Sequence, residues 1–505
     1  MGGGSALAFE PLNLWPMAFV GIAVLMDRVQ AAQSWRQAWM RGWVFGAGHF
    51  IVGFNWIATA FTYQSNMPPW LGAFAVVLLS LYLAVFPALA AALAWRLARQ
   101  GAPRERPLAF MCMFAAAWMA CEWLRASLFT GLAWNPLGVV WLAVPGVAQA
   151  ARWIGTYGLS ALLVLASGVL WISFRRRWLA TTACALLLTL GVVVAGRRAP
   201  PPLAPRSAAA ISVRIVQPNI GQDEKYDSTQ AERHERIYAN LSGAPSSQPR
   251  LLLWPESASL RFLEVEPQAR ADLAALLGPH DVLLTGGNSV TFAAAGGADV
   301  FHNSVFALDS AGAIQWRYDK AHLVPFGEYL PARSVLEHLG LSRLVPGDGD
   351  FIAGLGPRTL PLPGFSGAAG EASVGVQICY EIIFSGRVLD ESHRPWFLFN
   401  PTNDAWFGSW GPPQHLAQTR LRAIEEGVTV IRAAPNGISA WISPTGRVLD
   451  SIAVHRAGVI DGYISPPPPA TVFSRLGNWS CGLFGVLLLA LGLAARNRTS
   501  YLVSA

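Results

Sequence analysis

Lysine is nearly missing from this chain. Of its 37 basic residues only Lys225 and Lys320 are lysine, and the remaining 35 are arginine. Charge of any kind is scarce, 13% of residues against about 25% in an ordinary soluble protein, while 53% are hydrophobic. Metal-ligand spacings, a CxxC pair, an HExxH helix and a phosphate-cradling glycine loop are absent, so no metal and no cofactor is expected. The opening MGGGSALAFEP has neither the charged n-region nor the apolar h-region of a signal peptide. Of five cysteines, Cys112, Cys121, Cys184 and Cys481 fall in apolar runs, where the residue acts as a small hydrophobe. Only Cys379 lies elsewhere.

Long apolar runs are what the chain does have. Segments 11–26, 38–61 (with His49 and Asn55), 70–95, 107–124, 179–196 and 479–495 read as spans against the ~18–20 residues a bilayer requires. Segment 139–174 holds one more span behind an amphipathic approach containing Arg152. Seven spans are expected, six before residue 197 and one at the end. Arginines cluster after the first (Arg28, Arg36, Arg41), third (Arg96, Arg99, Arg104, Arg106), fifth (Arg175, Arg176, Arg177) and last (Arg496, Arg498) spans. Loops around 62–70 and 126–138 carry none. Because cytoplasmic loops are the basic ones, segment 197–475 is expected outside the cytoplasm, although Arg197 and Arg198 cut against the rule. The net charge of +7 is then mostly topology, and no nucleic-acid partner is expected. Met1 would lie on the outer side, so either the first span inserts as a reverse anchor or a leading helix is absent. Three regions result: a transmembrane bundle of about six spans (1–196), an extracytoplasmic domain (197–475), and a last helix with a short tail (476–505).

Proline-rich linkers, APPPLAPR (199–206) and SPPPPA (465–470), bound the outer segment. Between them SVRIVQPNI (212–220), LLLWPES (251–257), DVLLTGG (281–287), SVFALD (304–309), ASVGVQI (372–378), WFLFN (396–400) and ISAWISP (438–444) predict strands. QHLAQTRLRAIEEG (414–427) predicts a helix with a glycine stop. Over roughly 270 residues this mixture predicts a layered α/β domain.

Three residues in that domain ask for an explanation. Cys379, in VGVQICYEIIF (374–384), is unpaired in a compartment that oxidises thiols, so it is either buried and inert or kept for its chemistry. Lys320, in RYDKAHLVPFGEYLP (317–331), persists where arginine is the habit; a compact ammonium fits where a forked guanidinium does not, chance being the alternative. Glu256 follows an apolar strand and a Trp-Pro turn, the strand end where α/β sheets gather their chemistry and desolvation raises a carboxylate's pKa. Singly it could be a solvated loop residue. Together the three make a mechanism: a thiolate attacks an acyl carbon, a glutamate takes the thiol proton, and a lysine steadies the oxyanion.

At these residues the sequence resembles the nitrilase (carbon–nitrogen hydrolase) superfamily and, more narrowly, the apolipoprotein N-acyltransferase family. WPES, DKAHLVPFGEYLP, ICYEIIF, NDAWFG (403–408), QHLAQTRLRAIE and, among the spans, CEWLRASLFTGLAW (121–134) carry the likeness over nearly the whole chain. The resemblance implies an αββα sandwich joined to a polytopic helical membrane domain. It implies Glu256 as base, Lys320 as electrophilic stabiliser and Cys379 as nucleophile, with Glu328, Tyr380 and Glu381 supporting them. The implied reaction moves a fatty acyl chain from a membrane phospholipid to the N-terminal amine of a diacylglyceryl-cysteine on an apolipoprotein. The implied setting is the bacterial inner membrane, with the catalytic domain on the periplasmic side. Two features depart from the pattern: seven spans instead of eight, and Tyr226 in EKYDS (224–228) where the family usually has tryptophan. Strand alternation would send Cys379 and Glu381 to one face, whereas the family turns sharply at the cysteine.

A membrane belongs to such a mechanism, because each buried CH₂ holds a lipid by about 0.8 kcal/mol and the site must come to it. AWFGSWG (405–411) and FTYQSNMPPW (61–70) are aromatic enough to favour the lipid boundary. Trp406, Phe407 and Tyr226 are candidate lipid-facing residues, and 405–411 is either a lid or part of an aromatic core. Glu122 and Arg125, at i, i+3 near a span's end, either pair helices or meet a headgroup. Two other functions compete. A membrane-tethered amidase would share the three residues but needs only one span. A transporter would use Glu122, Arg125, His49 and Asn55 and would have no need of Cys379.

Overall fold

The computed structural model describes residues 1–63, 68–98, 106–175, 210–292, 300–336, 338, 350–367, 370–390 and 392–497. Among these, four helices are long and apolar enough to cross a membrane: Trp70–Ala98, Pro107–Ser127, Ala151–Phe174 and Trp479–Arg496. Trp35–Gly53 and Ile57–Tyr63, bent by 51°, make a fifth if the pair is one span. The expected 38–61 span is therefore a broken one. Segment 139–174 resolves into a 3-10 turn (Leu137–Ala143), a short helix (Pro145–Ala148) and one span, with Arg152 ahead of a break at Gly155. Segment 11–26 fails as a span by itself. Its helix is Pro16–Gln30, 15 residues or about 22 Å against a ~30 Å hydrocarbon core, because Leu12 and Leu14 stay in an exposed loop. The expected 179–196 span and the 199–206 linker lie outside the described residues. Within the bundle small residues set the spacing: a Cβ on Gly42 would sit 2.6 Å from the Pro87 carbonyl oxygen, so the helices pack almost backbone to backbone.

Alternating residues build the second unit. Strands β1 (Ile211–Gln217), β2 (Arg250–Leu253), β3 (Val282–Thr291), β4 (Val300–Asp309), β5 (Ile314–Asp319) and β12 (Gly458–Ile464) form one sheet, in the order β12-β1-β2-β3-β4-β5. The other sheet runs β11-β10-β9-β8-β7-β6, from β6 (Thr359–Gly367), β7 (Gly370–Val376), β8 (Phe397–Pro401), β9 (Thr429–Ala433), β10 (Ser439–Ile442) and β11 (Val448–Ile452). Each sheet is parallel at its centre, β1-β2-β3 and β7-β8-β9, and antiparallel outside. Leu251 and Leu253 point into the layer between the sheets, with Phe397 and Phe399 opposite. Leu252 and Trp254 face outward, where Trp254 stacks on Tyr238 of the Ala231–Ser242 helix at 4.4 Å. This period-2 alternation with helices outside is the αββα sandwich the sequence led us to expect.

The outer face of the second sheet is covered by the helix Gly411–Glu426, which has proline in its first turn and stops at Gly427 in the left-handed conformation (φ 64°). Its far side meets the membrane bundle. One apolar cluster runs from Leu398 and Val430 of the sheet, through Leu421 and Ile424 of the helix, to Tyr157 and Leu159 of a span. Sandwich and bundle thus share a core.

Candidate active site

Strand β7 ends at Val376, and the chain turns into a 3-10 helix, Cys379–Ile383, with Cys379 itself at φ 50°. Alternation therefore does not continue through Cys379 to Glu381, because the strand is already over. A non-glycine residue at positive φ is strained and must be held. Asn400 Nδ2 donates to the carbonyls of Gln377 (2.6 Å) and Cys379 (3.3 Å), and His415 Nε2–H donates to the Cys379 carbonyl at 3.1 Å. Glu381 gathers the backbone N–H groups of Ile378 (2.7 Å), Ala321 (2.7 Å) and His322 (3.0 Å), with the Tyr318 hydroxyl at 3.2 Å. It ties the turn after β7 to the loop after β5. At the thiol, Thr402 Oγ1–H donates to Sγ at 3.2 Å and the Asn403 N–H donates as well.

The facing sheet delivers the other residues to the same place. Glu256 follows β2 and Lys320 follows β5; both are buried, as is Cys379. Lys320 Nζ lies 2.9 Å from Glu328 Oε1 and 3.6 Å from Glu256 Oε1. Asn303 Nδ2 donates to both carboxylates, at 2.7 Å to Glu256 and 2.8 Å to Glu328, and the Val324 N–H reaches Glu328 Oε2 at 2.8 Å. Burial alone would lower the Lys320 pKa, but Glu328 and Glu256 outweigh it and hold the ammonium charged. Glu256 Oε2 is buried with no hydrogen-bond partner among the described residues, which leaves that oxygen open to accept a proton. Burial, reinforced by Glu256, pushes the Cys379 thiol up to about 12, against the pull of Lys320, Thr402 and Asn403. The sulfur therefore rests as a thiol, and an attack by it would need a base.

Beneath Cys379 is a buried charged group that sequence reasoning did not single out. Arg432 Nη2 lies 2.5 and 2.6 Å from the Asp404 oxygens, and His415 Nδ1 lies 3.0 Å from Asp404 Oδ1. Burial and Arg432 pull the His415 ring down to about 4, against the pull of Asp404 and the Cys379 carbonyl. Asp404 and His415 stand in NDAWFG and QHLAQTRLRAIE, so their motifs were visible but their roles were not. Lys225, Asn303 and Thr402 were missed as well. Lys225 Nζ donates to the Glu256 carbonyl at 3.3 Å.

Other candidates connect the site to the bundle. Tyr380 is buried and its hydroxyl donates to the Gly131 carbonyl at 3.0 Å, in the loop after the Pro107–Ser127 span. That loop is held from below: Glu122 Oε1 accepts from the Leu137 N–H (2.9 Å), and Arg125 Nη1 donates to the Leu132 and Trp134 carbonyls (both 2.9 Å). Tyr226 is exposed. Trp406 is half-buried against Tyr63 at 5.6 Å. Phe407 packs among Trp56 (4.7 Å), Trp134 (5.4 Å) and His415 (5.8 Å), the aromatic-core alternative for 405–411. Gln414 Oε1 accepts from both Trp134 (2.8 Å) and Trp56 (3.2 Å), fastening that cluster to the helix Gly411–Glu426.

Fold and site together define a nitrilase-type acyl-transfer domain fused to a multi-pass membrane bundle. Residues 1–169 match the apolipoprotein N-acyltransferase N-terminal domain, and residues 212–466 match the carbon-nitrogen hydrolase domain. The apolipoprotein N-acyltransferase of Rhodopseudomonas palustris is 35% identical, aligned over 97% of this chain and 92% of its own length. Those of Bradyrhizobium diazoefficiens and Brucella suis are each 36% identical over 98% of this chain and 93% of theirs. Among solved structures, Nit3 of Saccharomyces cerevisiae, a nitrilase-superfamily member, aligns over 52% of this chain and 93% of its own at 18% identity and a TM-score of 0.36. The chain belongs to the apolipoprotein N-acyltransferase family.

Proposed function

We propose that this chain performs the family's N-acyl transfer as a ping-pong reaction through a thioester on Cys379, with a membrane phospholipid as donor and a diacylglyceryl apolipoprotein as acceptor. The observation that carries the reading is the buried Glu256–Lys320–Glu328 cluster electrostatically coupled to a thiol held at positive φ, in a wall continuous with the membrane bundle. In the first half-reaction Glu256 Oε2 takes the Cys379 proton as sulfur attacks the donor's ester carbonyl. Lys320 stabilises the oxyanion. Collapse breaks the acyl C–O bond, and the departing lysophospholipid oxygen receives the proton from Glu256. In the second half the neutral acceptor amine attacks the thioester, Glu256 takes the amine proton, the C–S bond breaks, and the proton returns to sulfur.

The regions 1–196, 197–475 and 476–505 are read as bundle, catalytic domain and closing span, with the catalytic domain on the periplasmic side of the inner membrane. The arginine pattern supports that side. The intramembrane polar residues weigh against transport: Glu122, Arg125 and His49 are committed to bonds within the protein, His49 to Ser5 at 2.7 Å. Intact mass spectrometry after incubation with phospholipid tests the reading. A fatty-acyl adduct on the wild type, released by hydroxylamine and absent from Cys379→Ala, is expected. Turnover of a small amide with no adduct from phospholipid would instead favour the tethered amidase.

A further inference from the structure

The second of the chain's two lysines is also in the site. Lys225 ends a short turn of helix, Gln222–Lys225, and is 5% exposed. Its ammonium donates to the Glu256 backbone carbonyl at 3.3 Å and lies 5.8 Å from the Tyr226 ring centre. Of the two acids on its own turn, Glu224 is committed elsewhere, to Arg233 (2.9 Å) and the Gly221 N–H (3.3 Å), and Asp223 forms no ion pair with Lys225. Among the described residues Lys225 makes no ion pair. The same turn is joined to the nucleophile: Gln222 Oε1 accepts from Asn403 Nδ2 at 2.8 Å, and the Asn403 N–H donates to the Cys379 sulfur.

A buried ammonium without a carboxylate partner is costly unless a nearby negative charge answers it. Here the charge arithmetic supplies one. Glu256, Glu328 and Lys320 together leave one negative charge uncompensated in a buried site, before Glu381 beside the Lys320 loop is counted, and Lys225 offsets it. When the Cys379 proton passes to Glu256, the negative charge moves from carboxylate to sulfur and then to the acyl oxygen, and Lys225 is coupled to both Glu256 and Cys379.

We propose that Lys225 is the second cation of the active site, an electrostatic residue that offsets the negative charge as it passes between Glu256, the Cys379 sulfur and the acyl oxyanion. The inference rests on the reading of Glu256 and Cys379 as base and nucleophile. Its couplings fit the role. Burial pulls Lys225 down to about 8, while Glu256 and Cys379 push it back up. Of the other groups packed around it, His234 of the Ala231–Ser242 helix feels its charge, and Lys320 shares Glu256 with it.

The test follows iodoacetamide alkylation of Cys379 as a function of pH, in the full-length protein in detergent, with the modified cysteine located by peptide mass spectrometry. Wild type is compared with Lys225→Met, Lys225→Gln and Lys225→Arg, each checked for a cooperative thermal transition. Below pH 8, where Lys225 holds its proton, either neutral residue should slow alkylation roughly tenfold, and the gap from the wild type should close as the pH rises through about 8 and Lys225 loses its own charge. Arginine should keep the wild-type rate below pH 8. Folded Met and Gln variants with an unmoved profile would overturn the proposal, and so would a chain that folds with arginine but with neither neutral residue. An acylated Cys379→Ala variant would overturn the base-and-nucleophile reading as well, which separates the two failures.

Discussion

Glu381 shows how much one side chain can decide without touching the reacting atoms. Its carboxylate holds three backbone N–H groups, two from the Lys320 loop and one from the Cys379 turn. Glutamine could still accept at one oxygen, but its NH₂ would face a remaining N–H donor. Glu381→Gln is therefore expected to cost about 1–3 kcal/mol, read from the denaturation midpoint, and to slow acylation through a displaced Lys320. The pH dependence has a definite sign. Burial lifts Glu381 from 4.5 to about 7, with the backbone N–H groups pulling against it, so the folded state holds its proton more tightly than the unfolded one. Its contribution is fully present below pH 4.5 and is lost as pH rises through about 7. Glu426, likewise raised to about 7 by burial and by Glu425, adds to the same slope. Stability should thus fall across that window, and less steeply in Glu381→Gln. The resemblance implied only a supporting role for Glu381, since its partners Tyr318, Ala321 and His322 lie 63, 60 and 59 residues away. Lys225 was harder still, because nothing within EKYDS signals that its turn folds over Glu256.

At the scale of elements, the break in the Ala151–Phe174 span is where sandwich and bundle dock. Gly155 adopts φ 62°, ψ −175°, outside the helical region. The interruption releases Thr156, whose N–H and hydroxyl donate to Glu425 Oε1 at 2.5 and 2.6 Å, and Ser385 adds a third donor at 2.8 Å. A Cβ at position 155 would lie 2.2 Å from the ring of Phe473, which is fully buried. Gly155→Ala should therefore cost roughly 2–4 kcal/mol, through backbone strain and overpacking together, and lower the thermal midpoint in detergent. A fall of under about 0.5 kcal/mol would mean that the docking tolerates a continuous helix. The break was not legible, since GTYGLS sits inside an unbroken apolar pattern. Legibility among the strands followed the same logic. The seven strands expected from apolar runs are present, centred on the buried parallel portions of each sheet. The five that went unnoticed carry charge or polarity for a physical reason. β5 and β11 are edge strands with a single buried residue, Tyr318, between them, β12 is punctuated by Asp461 and Gly462, and β9 carries Arg432 to Asp404. β6 is an edge strand interrupted by Pro361 and Pro363.

For the whole molecule, the decisive fact is that the catalytic sandwich has no finished surface on its membrane side. In a soluble enzyme the helix covering the second sheet would present a polar face to water. Here Leu421 and Ile424 of that helix continue into the apolar cluster of the spans, and Gln414 reaches up to Trp56, Trp134 and the Glu10 carbonyl. Tyr380, the residue after Cys379, is itself tied to the bundle through Gly131. Cut free at 210–470, the sandwich would expose Phe384, Leu421 and Ile424 as one apolar patch, and Tyr380 would lose the partner that fixes its side of the Cys379 turn. The excised segment is expected to aggregate or to need detergent, as read by size-exclusion chromatography. Even in detergent, its Cys379 should form no acyl adduct with phospholipid under conditions that acylate the full chain. A monodisperse, soluble 210–470 segment that acylates Cys379 at the wild-type rate would show the bundle to be a mere anchor. That result would return the tethered-amidase reading to first place, since only then would the chain carry more spans than its chemistry requires.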